Sequence, residues 1–321
     1  MVKCSEVADR LANLPGVRIT SNAPLKQFTR FGIGGPALLL ADASTESGFA
    51  DALDAVRQAG LPWIVIGGGT NLVVADEGFG GIVLRYVAHT IARDGTAVIA
   101  DAGAELQTLV NFTISQGLGG IHTMTGVPGW VGGAVYGNAG AYGRSMHQNV
   151  VSVRYFDGER VRDIDNPGCG FRYRHSTFKD HKEWTVLSTR LQLLVSERVE
   201  LEKKADEILT IRNAKYPPSM KCAGSIFKNF VVAELPEKVQ QIVDPTAVRE
   251  GKIASAWFLE QVGAKGIRNG DIHVAGYHAN LIYNAGEGTA RQVREVIQEL
   301  KDRIRSRFQL EMEEEVQYVG F

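Results

Sequence analysis

Two loops of this chain combine residue types suited to holding an anion. The first is GGGTN, Gly67 to Asn71. The second is GVPGWVGGAVYGNAGAYG, Gly126 to Gly143, in which seven of eighteen residues are glycine. Glycine loses more conformational freedom on folding than any other residue, so this density needs a reason beyond turning the chain. Successive backbone N–H groups in glycine-rich turns form concavities that suit phosphates, and Thr70 and Asn71 add side-chain hydrogen bonds. Tight turns and close helix–strand packing explain GGGTN alone equally well. Two such loops, one supersecondary unit apart, favour a long, flat ligand. Neither G-x-G-x-x-G nor G-x-x-x-x-G-K-[ST] occurs, which removes the Rossmann and P-loop routes to a nucleotide. No H-E-x-x-H is present and the seven histidines do not gather at ligand spacing, so no metal site is expected.

Three further stretches carry groups able to act on a bound molecule. CGFRYRHSTFK, Cys169 to Lys179, reads as a strand whose alternation puts Arg172 and Arg174 on one face. AGSIFKN, Ala223 to Asn229, offers Ser225 behind a glycine, where serine most often caps a turn or helix. EMEEEV places Glu311, Glu313 and Glu315 on one face of a final strand. Spacing alone does not separate them from a solvated acidic run.

The elements that must position these groups are read from periodicity. After a short N-terminal helix, ESGFADALDAVRQAG carries Phe49, Leu53 and Val56 at helical spacing and stops at Gly60. LPWIVIGGGTN reads as a buried strand running into the first glycine loop. GIVLRY and TAVIADAG read as strands, and ELQTLVNFTISQG as a helix closed by Gly117. VVSVRYF, RYRHSTFK and WTVLSTRLQLLV continue as a mainly β segment. VELEKKADEILTIRNAKYPP is a charged helix ended by Pro217 and Pro218, a natural boundary. Beyond it, SAWFLEQVG reads as a helix and HVAGYHANLIYN as two short strands or one bent one. The last helix is the best signalled: Thr289 and Gln292 form a capping-box pattern, and Val293, Val296, Ile297, Leu300 and Ile304 make one apolar stripe. The expected class is α+β in three units.

Length and composition bound the rest. The chain has 321 residues, more than one core usually organises. Its 35 basic and 36 acidic residues argue against non-specific binding to nucleic acid or an anionic membrane. No apolar run reaches the ~18 residues of a membrane span, and charges in MVKCSEVADRLANLPG break the apolar stretch a signal peptide needs, so a cytoplasmic location is expected. Cys4, Cys169 and Cys222 are odd in number and far apart, which disfavours a disulfide framework.

Taken in order, TRFGIGGPA (29–37), GGGTN, GVPGWVGGAVYGNAGAYG, CGFRYRHSTFK, AGSIFKN and the terminal EVQYVG form a specific series. The chain resembles the UDP-N-acetylenolpyruvoylglucosamine reductases from about residue 24 onward. The resemblance implies a two-subdomain FAD-binding region of the vanillyl-alcohol-oxidase (PCMH) type plus an α+β substrate domain. Along the chain these are 1–84 and 85–200 for the FAD-binding subdomains, 201–308 for substrate, and 309–321 for a strand carrying a catalytic glutamate. It implies bound FAD, NADPH as hydride donor and a UDP-sugar substrate, with no nucleic acid, membrane or obligate protein partner.

The same resemblance assigns residues. Ser225 matches the proton donor, Arg174 the arginine that stabilises the enolate, and Glu315 the catalytic glutamate. Gly67, Gly68, Gly69, Thr70, Asn71, Gly126, Pro128, Gly132, Gly133, Asn138 and Gly140 match the FAD loops, whose missing side chains would let backbone donors reach the cofactor. Tyr173, Lys215, Asn229 and His278 match substrate contacts. Some positions depart from the family pattern: Phe230 follows Asn229 where proline is common, Gly32 replaces a frequent arginine, and Gln309 a frequent glycine. Longer members insert a tyrosine-bearing loop between the positions of Arg174 and Ser225, and none is identified in this short interval, so the chain looks like the shorter subtype. Two other readings are another FAD-dependent oxidoreductase on the same scaffold and a non-catalytic sugar-nucleotide-binding homologue.

Overall fold

The computed structural model describes residues 2–321, with side chains described from Ser5 onward. Contacts group the chain into two compact units that interleave in sequence. The first comprises residues 1–23, 37–69 and 80–214; the second comprises 24–36, 70–79 and 215–321.

The first unit contains two larger sheets and two short two-stranded ribbons. One larger sheet has the strand order Val17–Pro24, Pro36–Ala43, Phe79–Tyr86, Trp63–Val65, with the last pair parallel. The other is antiparallel, in the order Val161–Asp165, Val150–Phe156, Thr185–Gln192, Ala97–Asp101, Ile91–Asp94. Helix Glu46–Ala59 forms where the period requires. Thr45 caps it by accepting from the Gly48 amide at 3.1 Å, and Gly60 ends it in the left-handed region. Its Phe49, Leu53 and Val56 are fully buried, each side chain contributing about 1.5–3 kcal/mol on removal from water. Helix Leu106–Ser115 packs Leu106, Leu109, Val110 and Ile114 into the same core.

Two expectations are corrected in this unit. Trp63–Val65 is only half-buried, because it is an edge strand. RYRHSTFK is not a strand: Arg172 and His175 pair around a two-residue turn, and a short helix, Thr177–Asp180, follows. Alternation therefore does not relate Arg172 to Arg174.

The second unit is built on an antiparallel sheet of Lys221–Ser225, His278–Asn284, Ile272–Ala275 and Arg268–Asn269. HVAGYHANLIYN is thus two strands joined at Gly276–Tyr277. Helix Ala290–Phe308 buries the whole predicted stripe, and its capping box is formed in both directions. The Asp76 carboxylate accepts from the Ala290 and Arg291 amides at 2.7 and 3.1 Å, the favourable position for negative charge at a helix start. Segment 70–79 is tied in a second way: Leu72–Val74 pairs in parallel with Gln317–Val319. The final strand is shorter than expected, since residues 311–316 make only an isolated bridge, Glu314 to Phe227. Alternation does not order Glu311, Glu313 and Glu315 either.

Candidate active site

In the second unit, the sheet delivers Ser225. Strand Lys221–Ser225 loses register between Cys222 and Ser225, where Gly224 has φ +77° and a Cβ would meet nothing within 4 Å. A side chain would be strained there by the backbone and not by a neighbour. Beyond Ser225 the chain is pinned by buried Asn280, whose side chain accepts from the Phe227 amide at 2.9 Å and donates to the Phe227 carbonyl at 2.8 Å.

The same segment holds the acidic run. The Lys228 amide donates to the Glu313 carbonyl at 2.9 Å, and the Glu315 amide to the Ile226 carbonyl at 2.7 Å. The Asn71 side chain donates to the Glu315 carbonyl at 2.8 Å. Each neighbouring glutamate has a structural partner: Glu311 pairs with Arg305 at 2.6 Å, Glu313 with Lys228, and Glu314 with Lys301 at 2.9 Å. Glu315 is the member of the run fixed next to Ser225 through its backbone.

Lys215 and His278 are linked to Ser225 through Tyr216. The Lys215 Nζ stands 5.1 Å over the Tyr216 ring, and the Tyr216 and His278 rings are 6.4 Å apart. Burial first, and the nearby Lys215 charge second, lower the His278 pKa to about 4. Asn229 is exposed, its Oδ1 accepting from the Ser255 amide at 3.4 Å. The hydroxyl of Tyr216, a residue not expected from the sequence, is 3.2 Å from Ser225 Oγ. Its only local signal is its place between Lys215 and the two prolines.

In the first unit, the turn 172–175 is bound to the long glycine stretch. The Asn138 side chain donates to the Arg172 carbonyl at 2.9 Å, and Arg174 Nη2 donates to the Gly140 carbonyl at 3.1 Å. Arg174 has φ +54°, and its guanidinium lies 5.3 Å from the Tyr173 ring centroid. Lys179 fixes the turn from below by donating to the Arg174 carbonyl at 2.9 Å. Arg172 points elsewhere, exposed and 3.3 Å from His175 Nδ1. Asn138, Gly140, Tyr173 and Arg174 are therefore brought together, while Arg172 joins them only through its backbone carbonyl.

The glycines divide by what surrounds them. A Cβ on Gly68 would lie 2.9 Å from the Trp130 ring, one on Gly132 2.8 Å from the Ala102 Cβ, and one on Gly140 2.6 Å from the Arg144 carbonyl. The Gly126 amide donates to Gln107 Oε1 at 2.6 Å and the Gly132 amide to the Ala102 carbonyl at 2.9 Å. Packing within the chain therefore constrains Gly68, Gly132 and Gly140, whatever ligand lies near them. Gly133 is different. It is exposed on helix Val131–Tyr136, and a Cβ there would meet nothing within 4 Å. Glycine in a helix costs about 1 kcal/mol relative to alanine, so this bare position is the one that an external group best accounts for. Gly67 and Gly69 flank Gly68 in an irregular loop, Gly69 at φ +65°; Thr70 and Asn71 follow in the second unit, and Pro128 is exposed in the loop before helix Val131–Tyr136.

Among the described residues, no group of three or more His, Cys, Asp or Glu comes together in a way that could hold a metal ion, and no helix is long and apolar enough to cross a membrane. Cys169 and Cys222 are buried free thiols, and burial pushes that of Cys169 up to about 12.

Comparison with known proteins follows the sequence motifs. Residues 216–319 match the family model described as UDP-N-acetylenolpyruvoylglucosamine reductase, C-terminal domain, and residues 37–160 match the FAD binding domain model. The UDP-N-acetylenolpyruvoylglucosamine reductase of Solibacter usitatus is 55% identical over 311 residues, covering 97% of this chain and 100% of that protein. The reductase of Rubrobacter xylanophilus is 33% identical over 299 residues, covering 92% and 94%. The crystal structure of the reductase from Thermus caldophilus is similar with a TM-score of 0.73 at 28% identity, covering 94% of this chain and 98% of that one.

Proposed function

The chain belongs to the UDP-N-acetylenolpyruvoylglucosamine reductase family, and from that membership and the clusters just described we infer its reaction and the residues that carry it. It reduces the enolpyruvyl ether of UDP-N-acetylglucosamine to UDP-N-acetylmuramate with NADPH, a step in peptidoglycan precursor synthesis. Transfer of hydride from NADPH to the terminal alkene carbon is the chemistry that bound FAD supplies. The exposed, unobstructed Gly133 fits a surface against which such a group lies; Gly67 to Asn71, Pro128, Asn138 and Gly140 are proposed to border it.

The protein's own part is electrostatics and a proton. Hydride addition leaves negative charge on the neighbouring carbon, spread into the substrate carboxylate. Arg174 is proposed to meet that carboxylate, because its planar fork suits two oxygens better than a lysine does. Ser225 is proposed to protonate the carbon. Glu315 is proposed to act with it as acid or hydrogen-bond partner, and the carrying observation is the Glu315–Ile226 pairing, which fixes the backbone of this glutamate opposite the residue that follows the serine. Tyr173, Lys215 and His278 are proposed to contact the sugar nucleotide, His278 as a neutral ring. The exposed Asn229, already engaged with Ser255, supports a substrate role least.

For the domains we propose 1–84 and 85–200 as the halves of the FAD region, each supplying one larger sheet of the first unit, with 201–308 for substrate and 309–321 for the glutamate. Segments 24–36 and 70–79 nevertheless pack in the second unit. A cytoplasmic enzyme acting without nucleic acid, membrane or obligate protein partner is the accompanying reading.

The test is spectroscopic. Purified protein is expected to be yellow, to bleach with NADPH, and to regain colour when the enolpyruvyl sugar nucleotide is added without oxygen. Recolouring by oxygen alone would favour a different FAD oxidoreductase. Colourless protein that binds the sugar nucleotide would favour a non-catalytic homologue.

A further inference from the structure

A serine hydroxyl that gives its proton to carbon becomes an alkoxide, a strong base in a half-buried site. Something must return that proton within the same turnover. The nearest hydroxyl is that of Tyr216, 3.2 Å from Ser225 Oγ, a separation at which either group can donate. A phenol titrates near ~10, so it is a far stronger acid than an aliphatic alcohol and gives a proton to an alkoxide readily.

Tyr216 is also held in place. Pro217 and Pro218 follow it directly, and its ring packs against the buried cluster of Cys222, Ala275 and Leu281. The Lys215 ammonium over its face, at 5.1 Å, supplies positive charge beside any phenolate that forms. The other nearby groups do not offer a proton so well. His278 is neutral at neutral pH, its burial and Lys215 keeping it so, and its Nδ1 accepts from the Asn280 amide at 3.1 Å. The Tyr277 hydroxyl donates away from the site, to the Lys215 carbonyl at 2.9 Å.

We propose that Tyr216 is a positioning and proton-relay residue behind Ser225. In one step the Ser225 O–H bond breaks as the new C–H bond forms on substrate, and the Tyr216 O–H bond breaks as that of Ser225 is restored. The phenolate then takes a proton from water. No oxidant or reductant beyond the reaction itself is involved. This inference rests on the proposed role of Ser225 as donor.

The test uses single-turnover reoxidation of the NADPH-reduced holoenzyme by the enolpyruvyl sugar nucleotide, in mixtures of H2O and D2O. For the parent, rate against deuterium fraction is expected to be bowl-shaped, because two protons move together. Tyr216→Phe is expected to keep flavin reduction by NADPH within about twofold, to slow reoxidation about 10–100-fold, and to make the deuterium plot linear. A parent plot that is linear or flat overturns the relay without any variant. So does a Tyr216→Phe rate within twofold of the parent, or a slowed variant whose plot stays bowl-shaped, which marks a structural role. Ser225→Ala separates the two layers. If it reoxidises as fast as the parent, the donor assignment itself fails; if it is slow and Tyr216→Phe is not, only the relay fails.

Discussion

The amide of Glu315 donates to the carbonyl of Ile226 at 2.7 Å, and this contact puts a carboxylate-bearing residue across from the position that follows Ser225. The pairing depends on Asn280, whose buried amide bonds both backbone groups of Phe227. Asn280→Ala leaves a donor and an acceptor without partners in the interior. It should cost about 2–6 kcal/mol, at ~1–3 per group. Urea unfolding measures the loss; a change below ~1 kcal/mol would mean that Asn280 does not anchor the segment.

Ser225→Ala should leave NADPH-driven flavin reduction nearly intact and slow the second half-reaction by about 10²–10⁴. Stopped-flow absorbance separates the halves. Equal loss in both would point to damaged flavin binding.

Gly133→Ala should produce opposite signs in two assays. The apoprotein gains up to about 1 kcal/mol from helix propensity, since the added methyl meets no atom of the chain. Flavin affinity falls, and Gly133→Val lowers it further. Unchanged flavin affinity in both variants would remove Gly133 from the cofactor surface.

Gln309 ends the last helix at φ +56°, and its amide closes the cap onto the Arg305 carbonyl at 2.9 Å. A side chain in the left-handed region costs about 1–2 kcal/mol. Gln309→Gly should therefore raise the thermal midpoint without altering either half-reaction. A lower midpoint would show that the glutamine side chain contributes more than its backbone strain costs.

His278 gives a pH prediction with a definite sign. Its folded value of about 4 lies below the ~6.5 of an unfolded histidine. Between those values the unfolded chain binds the extra proton, so stability falls as pH drops from about 6.5 to about 4, with no further loss from this group below. His122, also lowered chiefly by burial, acts in the same direction. Denaturant midpoints at pH 7.5 and 5 should differ less in His278→Gln than in the parent. An equal difference would mean that His278 titrates normally.

Local signals proved readable where their causes are local. Helix Ala290–Phe308 follows from one apolar stripe and one capping box, both contained in its own sequence. The turn at Arg174 was hidden for the opposite reason. No glycine or asparagine marks its left-handed position, and RYRHSTFK alternates like a strand until Asn138 and Gly140 fix it from a distant segment. Spacing does not separate Glu315 from its neighbours, because what sets its backbone apart is contact with Ile226 and Asn71, both remote in sequence. Gly132 has a cause that its own sequence does not display: a Cβ there would meet Ala102, remote in the chain.

The interleaving of the two units has a consequence for biosynthesis. Asn71 and Glu315 are 244 residues apart, which at translation speed separates their appearance by on the order of 10–50 s. For that interval Leu72–Val74 has left the ribosome without the strand it will pair with, while the sheets of the first unit can already close. The carboxylate proposed for catalysis is thus installed last. A nascent chain stalled before it would carry the sheets of the first unit and lack the glutamate to which Asn71 is bonded.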